Sequence, residues 1–416
     1  MPDFGERQVL SFDNPADVAI NAFDIDEASD RVVALGDEAG PHGRAVLFFA
    51  LSSAAPVHSV PLAAERTGVG EVVRLSPDRS RVAVALGQAE GFAIFETVSG
   101  TELMRTRLFD NQSAHGLDWH ASGNTVYAAG GTQVEAFAVD GETAVQRYRR
   151  SLPIRLPGHV LSLSANPAPE RDQTLVGTNQ NRCYIVDENG TGQLEPDAGG
   201  MGQAAWSDDA QLLVYLERGR GGRVMVWRFG EHRRTLEAPS DTDYSAMAFE
   251  PGSHRAVIAT NDGAIRIYDM DEGTVVETLQ EPTGTPPIDV LWRDQRVWAW
   301  SRDTQQGLAA WATQSAAPLP QRRPTAPAGR ATVIVRAVGS NAAAATVWSG
   351  SLFRGDRVVA AERFSSNGTI TFERLPAGEY VLRLDTRADV GRGPDRREHR
   401  FSLTGDSTHE VEARFE

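Results

Sequence analysis

The chain has 416 residues, of which 41% are hydrophobic and 23% charged, enough apolar material for a large core and too much for wholesale disorder. Its formal net charge of −15 opposes sequence-independent binding to phosphate backbones and docking on anionic lipid surfaces. Lysine is absent, so all 41 basic residues are Arg, and a lone Cys183 precludes an internal disulfide.

Residues Met1 to Asn14 show neither a basic n-region nor an apolar h-region. No run of about 18 apolar residues follows. A cytoplasmic location is therefore expected. From ERQVLSF (6–12) onward the sequence consists of short strands with period-two alternation, punctuated by Pro, Asp, Ser and Gly. INAFDIDEAS (20–29) is the first copy of a recurring phrase. EVVRLSPDRS (71–80), RVAVALGQ (81–88), FAIFETVSG (92–100) and ELMRTRL (102–108) state it in full. Its opening returns as AHGLDWHASG (114–123), HVLSLSANP (159–167), GQAAWSDDA (202–210), SAMAFEPGS (245–253) and PIDVLWRDQ (287–295).

The third strand of each copy closes on Phe49, Phe95, Phe137, Val186, Trp227, Tyr268 and Trp311, at gaps of 41 to 49 residues. That spacing suits a four-stranded propeller blade, and alternation with period two excludes a helical solenoid. Seven marks predict an all-β fold, a seven-bladed β-propeller over residues 1–313. A blade buries both faces only between neighbours, so a closed ring is the stable solution. The last copy supplies three clear strands, and the segment 6–12 is expected to complete it as the outer strand.

Several of these phrases have a family likeness. Leu75-Ser76-Pro77-Asp78 resembles the turn between first and second strands of WD-repeat proteins. Asn261-Asp262-Gly263, followed by Ile265-Arg266-Ile267-Tyr268-Asp269, resembles their third-strand signature with Tyr-Asp in place of Trp-Asp, and Trp227 ends the similar strand VMVW. The resemblance spans about residues 5–313 and is carried by the period more than by the letters, because most copies lack the family's Gly-His pair. It implies a scaffold or recognition subunit that holds protein partners. Related lactonase-like propellers, hydrolases working at the axial mouth, are the alternative.

Residues 314–329 have the Pro- and Ala-rich composition of a linker. Over 330–416 strands recur without the propeller period, at 332–338, 357–364, 368–375, 379–386, 398–404 and 409–415. The phrase from Gly368 to Leu382 reads as a hairpin with a Leu-Pro-x-Gly turn. It resembles the transthyretin-like or carboxypeptidase-regulatory-like β-sandwich, which implies a non-catalytic accessory domain.

The common catalytic and cofactor signatures are missing, from the G-x-S-x-G elbow to the phosphate-binding and dinucleotide-binding loops. No cofactor is expected. Cys183 falls in the alternating strand RCYIVD and is expected to be buried. Asp24, Asp26 and Asp30 look like the start of a calcium loop, without its central Gly and distant Glu, and also suit a turn. Superposed on Leu75, the first strands place Asn21, Glu71, His115 and His159 at matching positions around one mouth of the axial channel. Such a polar arc offers ligands for a divalent metal or a small polar molecule, although Gly202 and Ser245 leave it open. In the lactonase-like alternative, Glu71 and the two His are the acid–base groups. Arginines collect on the expected outer strands, as Arg105 and Arg107, as Arg147, Arg149 and Arg150, and as Arg233 and Arg234. They either protect the strand edges or form a basic rim for an acidic protein partner. Trp292 reads as a loop residue available to a partner, and Trp298 as core.

Overall fold

Period-two alternation becomes strand throughout, and no helix occurs among the described residues of the computed structural model. Those residues are 4, 7–10, 19–37, 44–53, 56–62, 72–86, 91–108, 113–154, 158–180, 182–194, 202–217, 222–228, 231–237, 243–280, 287–301, 308–313, 316, 331–338, 348–354, 357–363, 369–375, 378–386, 396–403 and 408–414. The chain forms two compact units and passes from the first to the second between Pro320 and Gln321.

In the first unit, strand β1 (Gln8–Leu10) precedes six antiparallel meanders of four strands. The first comprises β2 (Ala19–Asp26), β3 (Arg31–Asp37), β4 (Arg44–Ala50) and β5 (Pro56–Leu62). The second has β6 (Val73–Leu75), β7 (Arg81–Ala85), β8 (Phe92–Glu96) and β9 (Glu102–Thr106). The third has β10 (Gly116–Trp119), β11 (Thr125–Gly130), β12 (Gln133–Asp140) and β13 (Thr143–Ser151). The fourth has β14 (Val160–Ala165), β15 (Gln173–Thr178), β16 (Cys183–Asp187) and β17 (Thr191–Leu194). The fifth has β18 (Gly202–Trp206), β19 (Leu212–Glu217), β20 (Arg223–Arg228) and β21 (Glu231–Glu237). The sixth has β22 (Tyr244–Phe249), β23 (Arg255–Thr260), β24 (Ala264–Asp269) and β25 (Thr274–Gln280). A seventh sheet contains β26 (Pro287–Arg293), β27 (Arg296–Ser301) and β28 (Leu308–Ala312), with β1 as its fourth strand, Val9 opposite Ala309.

The first strands touch in succession from β2 through β6, β10, β14, β18 and β22 to β26, and β26 returns to β2. This closed cycle is the arrangement of a β-propeller. Alternation explains how each sheet serves two neighbours. Val32 and Ala34 of β3 join a cluster with Trp298 and Trp300 of the seventh sheet, while Val33 and Leu35 join Val82 and Val84 of the second. A strand such as β11 is therefore buried along its whole length.

The third-strand marks have a structural correlate. At Phe49, Phe95, Phe137, Trp227 and Tyr268 the register with the outer strand slips by a residue. Such bulges bend an outer strand and blunt its open edge.

The second unit holds β29 (Ala331–Val338), β30 (Trp348–Arg354), β31 (Arg357–Arg363), β32 (Thr369–Leu375), β33 (Gly378–Thr386), β34 (Arg396–Leu403) and β35 (Thr408–Arg414). One sheet has the order β32-β29-β35, with β35 parallel to β29; the other has the order β31-β30-β33-β34. Val333, Val335, Ile370, Phe372 and Val411 of the first share one apolar cluster with Leu352, Tyr380, Leu382, Leu384 and Leu403 of the second. The expected hairpin around the Leu-Pro-x-Gly phrase is thus corrected: β32 and β33 lie in different sheets. Each alternates because it has one face on the common cluster, not because the two pair.

Candidate functional site in the axial cavity

The seven first strands enclose a cavity of about 290 Å³. The chain enters four of these strands through a bulge, with Asn21, Leu161, Ser245 or Ile288 as the extra residue. Asn21, Ser245 and His115 line the cavity. Further along the strands, Arg74, Asp118, Ser162, Ser164, Gln203 and Asp289 line it too.

Many of these polar groups tie one sheet to the next. Asp118 Oδ1 accepts the Trp119 N–H at 2.9 Å, and its Oδ2 accepts the Ala165 N–H of the fourth sheet at 2.8 Å. The buried Asp24 makes the same pair of bonds two sheets back along the ring, to Ile25 N–H at 2.8 Å and to Leu75 N–H at 2.9 Å. Ser162 Oγ and Ser164 Oγ accept the N–H groups of Ala204 and Trp206 in the fifth sheet, at 2.9 and 3.3 Å. Burial pushes the Asp118 carboxyl upward, against the pull of Arg74 and the two backbone donors.

His115 and His159 come together, their ring centroids 5.5 Å apart. Burial, then the proximity of His159, hold His115 below the ordinary imidazole value, so it is a neutral base near pH 7. His159 is turned to the neighbouring hairpin: its backbone N–H donates to Asn179 Oδ1 at 2.7 Å and its ring Nδ1 lies 2.9 Å from Asn179 Nδ2. Asn21 lines the same cavity as His115, and Glu71 lies outside the described residues. Among the described residues no group of three or more His, Cys, Asp or Glu is placed to hold a metal ion.

The other sequence candidates divide. Trp292 needs correction. It lies within β26 and is 1% exposed, with Phe4 edge-on at 5.7 Å and the Arg255 guanidinium 5.5 Å above its ring. The adjacent two-residue turn, Asp294 and Gln295 with φ of 46° and 64°, is tighter than a loop reading allows and keeps Trp292 in the strand. Trp298 is core. Arg147 occupies the bulge of β13 and reaches Asp172 of the fourth sheet at 2.7 Å, and Arg150 Nε donates to the Asp187 carbonyl at 3.2 Å. Arg149 is exposed on the same strand. Arg234 donates to the Asp271 carbonyl, and Arg233 precedes it in β21. Asp26 binds Arg79 and Asp30 binds Ser52, so the aspartates that resemble a calcium loop are engaged with protein groups. Cys183 is buried and its thiol is pushed well up by desolvation.

Arg74 and Gln203 are not legible from the strand starts, which superposition compares. Arg74 lies three residues after Glu71 and Gln203 one after Gly202, yet both line the cavity.

With ring, cavity and inter-sheet bonds in place, the first unit is a β-propeller. Among solved structures the chain is similar to the β-propeller domain of Cps50 (Swd1) from Myceliophteria thermophila, with 13% identity and a TM-score of 0.55, covering 71% of this chain and 97% of that one. At that identity the likeness is one of fold. No family model and no curated protein matches the sequence.

Proposed function

We propose that the chain is a non-catalytic scaffold or recognition subunit of a bacterial cytoplasmic multiprotein complex. Its seven blades form a rigid disc. The two sheets of the second unit act as a transthyretin-like β-sandwich, an accessory module with a second docking surface. One observation carries this reading: inner-strand Asp24, Asp118, Ser162 and Ser164 all bond the backbone of the next sheet. Side chains used in this way stiffen the ring and leave recognition to its turns and edges. No helix among the described residues is long and apolar enough to cross a membrane.

The test is purification of the tagged chain from its native host at native expression level, with quantitative mass spectrometry and cross-linking. The reading expects proteins in fixed ratio to the chain, cross-linked to its turns. A chain that elutes alone, and that hydrolyses sugar lactones once purified, overturns it in favour of the enzymatic alternative.

A further inference from the structure

The axial cavity carries both signs of charge in a small volume. Among the described residues that line it, Arg74 is the one Arg, and Asp118 and Asp289 are the acids. A guanidinium has five N–H donors in a planar fork. Among the described residues Arg74 has a single hydrogen-bond acceptor, the Val73 carbonyl at 2.8 Å from Nη1. Gln203 Oε1 is buried without a partner, and its Nε2 lies 3.4 Å from the Met247 carbonyl. The half-buried Arg74 fork has donors to spare, and the buried, unmatched Gln203 Oε1 favours a guest that supplies its complement.

The charge pattern narrows the guest. A simple anion drawn to Arg74 would meet the two carboxylates, and a simple cation drawn to these would meet the guanidinium. A molecule with both charges on neighbouring atoms satisfies each side. The volume is at the lower end of the roughly 300–1,000 Å³ usual for ligand sites, which suits a guest of few atoms. We propose that the cavity binds a small zwitterion, a free α-amino acid or a betaine of that size, with its carboxylate on Arg74 and its cationic nitrogen towards Asp118 and Asp289. Arg74 lies near Asp118, where its guanidinium opposes the burial that raises the carboxyl. Neutral His115 adds no third charge at the mouth.

This inference is independent of the docking role, which survives if it fails. The full-length chain is titrated by calorimetry with L-alanine and glycine betaine, and with propionate and ethylamine as analogues bearing one charge each. The zwitterions should bind at least about tenfold more tightly than either analogue. Arg74→Gln should abolish binding and Asp289→Asn weaken it. In the unaltered protein the Arg74 Nε resonance should shift on addition of zwitterion. Failure of both zwitterions to bind, binding no tighter than that of the analogues, or an unmoved Arg74 resonance overturns the proposal.

Discussion

Two seams of the ring use the same chemistry at different depths. Where the seventh, first and second sheets meet, the guanidinium of Arg79 lies 2.7 Å from buried Asp26 and 3.1 Å from Asp294, and Arg296, 2% exposed, pairs with Glu27. Between the fifth and sixth sheets, His254 spans two exposed carboxylates, with Nε2 2.8 Å from Asp209 and Nδ1 2.7 Å from Asp271. The first seam joins residues from opposite ends of the unit by permanently charged Arg. The second joins neighbours by a group that titrates. Closure of the ring thus sets a fixed Arg charge against Glu27, whose carboxyl burial raises, while the fifth and sixth sheets are joined through a titrating imidazole.

Replacing Arg296 by Ala should break this contrast most severely. It leaves Glu27 partly buried without its partner, and denaturant unfolding should show a loss of about 3 kcal/mol. Asp118→Ala, on an inner strand away from both seams, strands the N–H groups of Trp119 and Ala165 and should cost about 2 kcal/mol by the same assay. Arg79→Gln removes a half-exposed clasp and should cost about 1 kcal/mol.

The smallest effect is the most diagnostic. Burial lowers the His254 pKa, but the hydrogen bonds and charges of Asp271 and Asp209 outweigh it and leave the value raised. Burial raises the Asp209 pKa, and its bonds to Ser207, Gln211 and His254 bring it below the ordinary value. A raised imidazole stabilises fully below its unfolded value of 6.5 and loses that contribution as pH rises through the folded value. A lowered carboxyl stabilises above 3.8 and loses its contribution as pH falls through the folded value. The strut is therefore strongest between these two values. His254→Gln should cost under about 1 kcal/mol there, and its difference from the unaltered protein should vanish as pH rises through the folded pKa of His254. The Arg296→Ala penalty should instead grow as pH rises, because burial already holds the Glu27 carboxyl above its ordinary value and loss of Arg296 raises it further.

Much of the strand framework was legible in the sequence, and the seams were not. Phe49, Phe95, Phe137, Val186, Trp227, Tyr268 and Trp311 all fall on third strands, because alternation and aromatic placement are local consequences of a sheet with two covered faces. The inner-strand acids were opaque for the opposite reason. Asp24 reads as a turn or metal residue until Leu75, 51 residues away, is brought to its carboxylate. β30 was missed because Ser349, Gly350 and Ser351 dilute its alternation, although it lies at the centre of its sheet. In the cavity, Asn21 and His115 were visible by superposition, whereas Trp292 was misplaced because the two-residue turn after it has no Gly to announce it.

Ring closure in solution can be measured through Arg296 and Glu27, which are 269 residues apart in sequence. A double-mutant cycle of Arg296→Met and Glu27→Gln on the full chain should give a coupling of at least about 1 kcal/mol. Strictly additive effects of the two substitutions would show that the first and seventh sheets do not meet, and the closed ring would fail with them.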